Sequence, residues 1–285
     1  MRSALVFGGS GQIGVQVIGL LLENGWRVHA VSRTPQIEAT RLTWLRGDLQ
    51  KVEGIPSQVD AIFSLGPLDH FSHWYARSDI AAQRVIAFGS TSMQTKQESS
   101  DGHERDLAMR LQQAEARLFE TAAARRVAAT VLRPTLVYGA GRDRSLSQIA
   151  AVAQRFGFFL LPRGAHGLRQ PVHVEDLATA ALAVVDAAAS HGRSYALPGG
   201  ETLQYVEMVS RTLSALQTRP RLLQVPAWLF GIVLSAAQAM GRMRGLGAAA
   251  VTRMREDLVF DIEPARRDFG YSPRAFRPTA SDFFF

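Results

Sequence analysis

The sequence predicts an α/β protein in which a doubly wound parallel β-sheet is followed by a smaller carboxyl-terminal lobe. Over the first two thirds of the 285 residues, short apolar runs alternate with amphipathic stretches, as in a parallel sheet wrapped by helices. The runs end in Gly, Ser, Asp or Pro, which is typical of buried strands that stop at a ligand-bearing edge. A glycine-rich turn also follows the first run directly.

Six apolar runs rich in Val, Ile, Leu and Phe are the predicted strands: residues 3–7, 27–31, 42–46, 59–65, 84–89 and 128–133. The clearest helix is predicted over residues 104–126. Its apolar stripe recurs at helical spacing and is expected to pack on the sheet; it consists of Leu107, Leu111, Ala114, Leu118 and Ala122. An alanine-rich helix over residues 176–189 is expected to return to the sheet.

The pattern changes after Pro134, where Gly139-Ala140-Gly141 opens a loop and Pro162 begins a second irregular stretch. We therefore expect a first domain formed by residues 1–138 together with about 172–190. Residues of about 139–171 and 191–285 are expected to form the smaller lobe.

Composition excludes several kinds of site. Cysteine is absent, which excludes disulfides, thiolate zinc sites, iron–sulfur clusters and cysteine nucleophiles. The net charge is +7, and all but Lys51 and Lys96 of the 32 basic residues are arginines. They are spread along the chain without a nucleic-acid-binding motif, so no nucleic-acid partner is expected. No metal is expected either, because His70 and His73 lack a third ligand at convincing spacing.

Two segments bear on location. The apolar start of the chain is too short for the core of a signal peptide before Gly8 interrupts it, and a cytoplasmic protein is expected. Residues 227–237 are the most apolar run, followed by Arg242 and Arg244, but the run is too short to span a bilayer. Core packing or a homodimer contact is the favoured interpretation. Peripheral membrane contact, together with Phe283–Phe285, is the alternative.

The first strand leads into a glycine-rich loop that satisfies both G-x-G-x-x-G and G-x-x-G-x-x-G and opens an amphipathic helix. Glycine allows the tight turn and close approach of backbone amides to a pyrophosphate, and the helix N-terminus adds positive potential. The loop therefore predicts dinucleotide binding on a Rossmann-type sheet, with a structural glycine turn as the alternative. The predicted cofactor contacts are Gly8, Ser10, Gly11, Gln12, Ile13 and Gly14.

The second strand indicates which dinucleotide is preferred. It ends in Ser32-Arg33, where an NAD-specific site would place a carboxylate for the ribose hydroxyls. An arginine here can pair with a 2′-phosphate and stack on adenine, so NADP(H) is predicted in preference to NAD(H). Arg33 could instead be merely exposed. The fourth strand ends at Leu65-Gly66 on the same edge, and these two residues are also predicted cofactor contacts.

Further segments resemble the extended and atypical branches of the short-chain dehydrogenase/reductase superfamily, which include nucleotide-sugar epimerases and dehydratases. These segments are Arg46–Leu49, Leu132–Gly139 (R-P-x-x-x-Y-G) and Leu168–Ala178 (R-x-x-x-H-V-x-D-x-A). The resemblance implies that Asp48 and Leu49 contact adenine and that Arg169 faces a substrate diphosphate. It extends well over about residues 3–190 and only loosely beyond.

The family's catalytic Y-x-x-x-K pair is not found: none of the five tyrosines has a lysine four residues later. In the family a glutamate often follows that lysine by four residues. Aligning it with Glu115 places Leu107 and Leu111 in the tyrosine and lysine positions. The usual proton relay, a phenol beside a lysine, is therefore not expected here.

Other residues near the strand ends could replace the pair. By resemblance, Ser90 and Thr91 supply the hydroxyl that hydrogen-bonds a reacting carbonyl. Lys96 follows at a distance from which it could reach the substrate, and a lysine can act as an acid or base where an arginine cannot. Its alternative is a surface lysine. Tyr138 is another phenol near the strand ends, with a packed core tyrosine as its alternative.

The sequence thus predicts an atypical NADP(H)-dependent oxidoreductase or epimerase/dehydratase-like protein. Its expected substrate is a phosphorylated or nucleotide-linked small molecule such as a sugar. The alternative is a non-catalytic NADP(H)-binding protein that senses redox state or supports an assembly, with possible peripheral contact to a membrane.

Overall fold

A computed structural model describes residues 1–143, 145–232 and 252–283. Its main sheet has seven parallel strands in the order β11-β6-β5-β4-β1-β2-β3. They are β1 (Ser3–Phe7), β2 (Arg27–Ser32), β3 (Leu42–Arg46), β4 (Gln58–Ser64), β5 (Ala81–Phe88), β6 (Ala128–Pro134) and β11 (Arg193–Leu197). The strand order reverses direction at β1, so a crevice opens between the ends of β1 and β4, where ligands bind in such sheets. The six predicted strands are confirmed.

Helices cover both faces of this sheet, which confirms the doubly wound fold. The helices are α1 (Gln12–Glu23), α2 (Leu68–Arg77), α3 (Ser92–Thr95), α4 (Gly102–Ala124), α5 (Leu146–Phe156), α6 (Val174–Asp186), α7 (Tyr205–Ser214) and α8 (Glu263–Phe269). One apolar cluster joins α1 and α6 to the sheet. A second cluster joins α2 and α4 to the opposite face. The helices predicted at 104–126 and 176–189 are confirmed as α4 and α6, each beginning and ending two or three residues earlier.

Three short strand pairs lie outside the main sheet: β7 (Val137–Tyr138) with β10 (Val172–His173), β9 (Leu168–Arg169) with β12 (Leu203–Gln204), and β8 (Phe158–Pro162) with β13 (Arg221–Val225). A third apolar cluster packs α5 against α7, with Tyr138 and Phe276 among its buried members. The seventh strand of the main sheet, β11, follows α6 and pairs with β6. The chain therefore re-enters the main sheet beyond residue 190, the limit expected from sequence.

A buried cation ties the far end of the sheet together. Arg84 of β5 is 6% exposed. It donates to the carbonyl oxygens of Val184, Val185 and Ala128 and to the hydroxyls of Thr130 and Ser190. Burial lowers the pKa of its guanidinium to about 10. With these acceptors filled, Arg84 connects β5 and β6 to the end of α6.

The structure describes only part of the segments for which peripheral membrane contact is the alternative interpretation. Within the described residues, no helix is both long enough and apolar enough to cross a bilayer. Residues 227–232 are helical, with Trp228 and Ile232 exposed, and Phe283 is buried in the third cluster. The rest of the predicted apolar run, Arg242, Arg244 and residues 284–285 lie outside the described residues.

Candidate active site at the strand ends

The glycine loop after β1 has a backbone that only glycine accommodates. Gly8 has a φ of +76° and its carbonyl oxygen accepts the N–H of Gly11 at 2.9 Å. A Cβ on Gly14 would lie 2.1 Å from that same carbonyl oxygen, and one on Gly8 would lie 2.9 Å from the carbonyl carbon of Leu65. The loop is therefore packed tightly between the start of α1 and the end of β4, as a pyrophosphate cradle requires.

The first turn of α1 adds to this cradle. The helix begins at Gln12, and its N-cap, Gly11, has no side chain to accept the first amides. Such a helix end attracts an anion, because the unpaired N–H groups and the helix dipole both favour negative charge. The side-chain oxygen of Gln12 is buried and has no hydrogen-bond partner. An acceptor without a donor is costly unless a ligand supplies one, so these residues fit a dinucleotide.

The residues predicted to contact the adenosine end lie at neighbouring strand ends. Ser32 is buried and its hydroxyl donates to the Thr34 carbonyl oxygen at 2.8 Å, whereas Arg33 is exposed. The Asp48 carboxylate accepts the backbone N–H groups of Gln50 and Lys51, which lower its pKa, and the nearby charge of Arg33 acts in the same direction. Asp48 thus shapes its own turn close to Arg33.

The remaining predicted cofactor residues complete this edge. Ile13 is buried in the cluster between α1 and the sheet, and Leu49 and Leu65 are half-buried. The backbone N–H of Leu65 donates to the Phe7 carbonyl oxygen at 3.0 Å, which fixes the end of β4 beside the glycine loop. The structure therefore brings the predicted cofactor residues together along one edge, while their contacts with a dinucleotide stay predictions.

A cleft of about 320 Å³ opens beside this edge, between the ends of β4 and β5 and the start of α4. It is lined by Gly66, Pro67, Leu68, Asp69, Phe88, Gly89, Ser90, Leu107, Arg110 and Leu111. Most of these side chains are apolar, and the charged ones belong to Asp69 and Arg110, whose Oδ2 and Nη1 atoms are 3.7 Å apart.

Two residues of the predicted core stripe line this cleft. Leu107 and Leu111 are half-buried and line it, whereas Ala114, Leu118 and Ala122 pack on the sheet as expected. The reason is geometric: the first turns of α4 lie beside the cleft at the carboxyl ends of the strands. Leu111 also packs against the second apolar cluster, as predicted, so it contacts both this core and the cleft.

The two predicted hydroxyls after β5 have different surroundings. The Ser90 Oγ accepts the backbone N–H of Ser92 at 3.1 Å, which uses a lone pair and leaves the hydroxyl hydrogen to donate elsewhere. Ser90 also lines the cleft. Thr91 is buried, and its hydroxyl donates to the Pro134 carbonyl oxygen at 3.1 Å. Of the two, Ser90 is therefore the one placed to meet a carbonyl, and Thr91 fastens the end of β5 to β6.

Lys96 follows α3 and is paired. Its Nζ lies 3.2 Å from the Glu104 carboxylate at the start of α4, which also accepts from Ser99 and Arg253. Burial alone would raise the pKa of Glu104, but the hydrogen bonds from Ser99 and Lys96 and the charge of Arg253 lower it overall. The lysine side chain is 22% exposed. Lys96 therefore belongs to a partly buried ion-pair cluster with Glu104, and Glu104 is one helical turn from Leu107 on α4.

Tyr138 is a packed side chain in this structure. It is 1% exposed, and its ring contacts the rings of His173 and Phe276 edge-on, with centroids 5.1 and 4.9 Å away. Burial raises the pKa of its phenol. A phenol in such surroundings holds its proton tightly, which agrees with the packed core tyrosine that is the alternative interpretation of Tyr138.

Arg169 is only 5% exposed. Its guanidinium donates to the carbonyl oxygens of Leu168, Arg253 and Glu256 and lies over the Tyr205 ring at 5.3 Å. Burial lowers its pKa. In this arrangement Arg169 joins β9 to residues 253–256, and the predicted contact with a substrate diphosphate stays a prediction.

Sequence reasoning missed three groups near the site: the Asp69–Arg110 pair, the Glu104 cluster, and a contact from Arg142 to the Ser10 carbonyl oxygen at 2.9 Å. Helical spacing gave a signal for one of them, because Arg110 is three residues from Leu107 and so shares its face. Arg142 directly follows the predicted loop at Gly139–Gly141, but nothing in the local pattern shows what it reaches.

Comparisons with known proteins support the fold and the cradle. Residues 4–93 match the model of the "NAD dependent epimerase/dehydratase family". The 2-alkyl-3-oxoalkanoate reductase of Stenotrophomonas maltophilia is 26% identical over 95% of this chain and 94% of its own. Among solved structures, the epimerase Mth375 of Methanothermobacter thermautotrophicus superposes with a TM-score of 0.71 at 16% identity, covering 97% of this chain and 89% of that one.

A second solved structure adds ligands to the comparison. MoeE5, solved in complex with UDP-glucuronic acid and NAD, superposes with a TM-score of 0.69 at 18% identity and covers 96% of this chain and 94% of its own. At such identities the likeness is one of fold. Residues 4–93 match the model of the NAD dependent epimerase/dehydratase family, and the chain as a whole shares the α/β fold of these two solved structures.

Proposed function

We propose that this protein is an NADP(H)-dependent oxidoreductase that transfers hydride between the nicotinamide and a small carbonyl compound bearing an anionic group. The observation that carries the proposal is the cleft, because it opens between the ends of β4 and β5 directly beside the glycine cradle. A dinucleotide whose pyrophosphate rests on α1 extends along this edge. Arg33, exposed at the end of β2 with no carboxylate beside it on that strand, supports the preference for NADP(H).

Residues of the cleft and of the ion-pair cluster at the start of α4 have distinct roles in this proposal. When bound, the nicotinamide supplies or accepts the hydride. Ser90 donates a hydrogen bond to the substrate oxygen and keeps its own proton, since a lone pair of its oxygen already accepts the N–H of Ser92. The apolar side chains of Leu107, Leu111 and Phe88 exclude water from the reacting carbon, which strengthens that hydrogen bond. Lys96, held by Glu104, supplies the proton.

The same cleft indicates the kind of substrate. Its lining is mainly apolar and its cation is Arg110, oriented by Asp69. A substrate with an apolar body and a carboxylate or phosphate fits this combination, because an arginine binds such groups through paired hydrogen bonds. The name of the reductase relative, an enzyme of a 3-oxoalkanoate, agrees with this chemistry. Nucleotide-linked sugars remain the second substrate class, since MoeE5 binds UDP-glucuronic acid.

A test uses two substrate sets. The first contains 2-alkyl-3-oxoalkanoates of increasing chain length and is followed by NADPH oxidation, because reduction of their ketone consumes this cofactor. The second contains UDP-glucuronic acid and UDP-glucose, which have hydroxyls to oxidise and no ketone to reduce, so it is incubated with NADP+ and followed by NADPH formation and by chromatography of the products, which also detects epimerisation. We expect turnover with the first set and its loss in Arg110→Ala. Arg117→Ala, a change of another arginine on α4, is the control. Turnover of UDP-sugars alone would overturn the assignment of an oxoalkanoate substrate, but it would still show that the protein is an enzyme.

One observation favours a second candidate, a non-catalytic NADP(H)-binding protein. The α4 residues that line the cleft are Leu107, Arg110 and Leu111, and none of them is a usual proton donor at neutral pH. A redox sensor needs to bind the dinucleotide at the glycine loop but needs no proton donor in the cleft. Tight NADPH binding without turnover of either substrate set would favour this candidate.

A further inference from the structure

The loop between β7 and α5 is fixed at both ends. Gly139 and Gly141 have φ values of +105° and +60°, and a Cβ on Gly139 would lie 2.3 Å from Nε2 of His173. The backbone N–H of Gly141 donates to the Asp282 carbonyl oxygen at 2.9 Å. Two residues later, the Asp143 carboxylate accepts the backbone N–H groups of Ser145 and Ser147 at the start of α5.

Arg142 lies between these two anchors and reaches the glycine loop. Its Nη1 donates to the Ser10 carbonyl oxygen at 2.9 Å, across 132 residues of sequence. Ser10 stands between Gly9 and Gly11, in the turn that leads into α1. The contact therefore joins the loop after β7 to the glycine loop after β1.

The chemistry at this point suits a guanidinium. The unpaired amides at the start of α1 attract an anion but supply only partial charges. A pyrophosphate carries full negative charge, and a planar guanidinium binds phosphate oxygens through a fork of N–H donors. The hydrogen bond to Ser10 sets the position of that fork beside the loop, so a bound dinucleotide would meet an oriented cation.

We propose that Arg142 is a cofactor-binding residue that clamps the dinucleotide pyrophosphate from the smaller lobe, opposite the amides of α1. The proposal rests on the proposed function, since it requires that a dinucleotide occupies the cradle. It adds to that function a second phosphate contact, which comes from outside the glycine-loop motif. It also distinguishes Arg142 from Arg33, whose predicted target is the 2′-phosphate.

The test is calorimetric titration of the full chain with NADPH, NADH and ADP-ribose. ADP-ribose contains the pyrophosphate but neither the 2′-phosphate nor the nicotinamide. We expect Arg142→Ala to weaken all three by the same factor of roughly ten, in the range of one charge-assisted hydrogen bond. Arg142→Lys keeps the charge but loses the fork of N–H donors, so its affinities should fall between those of wild type and those of Arg142→Ala. Arg155→Ala removes an exposed arginine from the end of α5 and should change none of the affinities.

The outcomes separate the two proposals. If the wild-type protein binds the three ligands and Arg142→Ala binds them equally well, the clamp is overturned and the cofactor assignment stands. A loss confined to NADPH also overturns it, because Arg142 would then contact the 2′-phosphate. If the wild-type protein binds none of the ligands, the proposed function and the clamp both fail. Equal melting temperatures of the variants would show that a lost affinity is not a folding defect.

Discussion

Arg133 at the end of β6 forms a two-fold ion pair with Glu115 of α4, directly beneath the strand ends that carry Ser90. Arg133 Nε donates to Glu115 Oε1 at 2.7 Å, Nη2 donates to Oε2, and the Ser194 hydroxyl donates to Oε2 at 3.1 Å. Their side chains are only 15% and 6% exposed. A Cβ on Gly89 would lie 3.1 Å from Glu115 Oε1, so the pair and the loop before Ser90 are packed together.

We expect Arg133→Met to lower the free energy of unfolding by about 3–5 kcal/mol, because it leaves the Glu115 carboxylate buried without its partner. Arg133→Met combined with Glu115→Leu should regain most of that loss, since no unpaired charge remains. Urea unfolding of the three proteins measures both effects.

A matched control for this pair is the Arg211–Glu207 pair, which lies on the surface of α7 with side chains 36% and 50% exposed. Glu207→Gln should change the unfolding free energy by less than about 1 kcal/mol. Similar losses in Glu207→Gln and Arg133→Met would contradict the role assigned to burial.

The cleft-facing leucines of α4 allow a gain-of-function prediction. Leu107→Tyr with Leu111→Lys places a phenol and an ammonium four residues apart on the helix face that lines the cleft. We expect the double variant to raise the rate of NADPH-dependent carbonyl reduction by roughly tenfold or more, as general acid catalysis contributes at least that much. Each single variant should have little effect.

Met109→Tyr with Gln113→Lys has the same spacing on the exposed face of α4 and is the control. An equal rate change in this control would show that the cleft position is irrelevant. A double cleft variant that binds NADPH but reacts no faster than wild type would argue against the alignment of Leu107 and Leu111 with the family's tyrosine and lysine.

How far the sequence predicts this site depends on the range of the interactions. The glycine loop and the six strands follow from local patterns, since apolar alternation and glycine spacing are properties of adjacent residues. The cleft contacts of Leu107 and Leu111 were not predicted, because helical periodicity identifies the apolar face of α4 but not the turn at which the helix passes the strand ends. The Arg142–Ser10 contact joins residues 132 positions apart, and no local pattern encodes it.

Burial is a second property of the site residues that local sequence patterns do not predict. Arg169 and Tyr138 both carry polar groups that suit a site, and both are buried in this structure. Whether a polar side chain faces a cleft or a packed cluster depends on which elements meet around it. For Tyr138 those are β7, β10 and the chain near Phe276, which are brought together only by the folded smaller lobe.

Arg33 provides the test of cofactor preference. We expect Arg33→Ala to weaken NADPH binding by roughly 10- to 100-fold, the range of charge-assisted hydrogen bonds, while NADH affinity stays within about twofold. Titration calorimetry with both dinucleotides measures the ratio. Arg27→Ala removes an exposed arginine at the opposite end of β2 and should leave the ratio unchanged. Parallel losses of NADPH and NADH affinity in Arg33→Ala would refute a 2′-phosphate contact.

Lys96 and Tyr138 can be separated by their effect on turnover. Lys96→Met should lower kcat by about 100-fold, the lower range of general acid catalysis, with little change in NADPH affinity. The Glu104 carboxylate keeps its partners Ser99 and Arg253, so the fold should survive the change. Tyr138→Phe keeps the buried ring and should retain kcat within about twofold. The opposite pattern, with Tyr138→Phe inactive and Lys96→Met active, would show that the Tyr138 phenol is the proton donor.

Asp282 links the stability of the smaller lobe to pH. Burial alone would raise the pKa of its carboxyl, but the hydrogen bonds from His173 and Thr279 outweigh this and lower it. A carboxyl with a lowered pKa in the folded state stabilises that state above its unfolded pKa of about 3.9, and the contribution is lost as the pH falls through the folded value. We therefore expect the stability advantage of wild type over Asp282→Asn to be constant from pH 7 to about 5 and to shrink below about 4, as measured by urea unfolding at each pH. Glu263→Gln, at an exposed position on α8, is the control for general acid effects. An advantage that grows as the pH falls would contradict the lowered pKa, because the protonated carboxyl would then be the form that the folded lobe prefers.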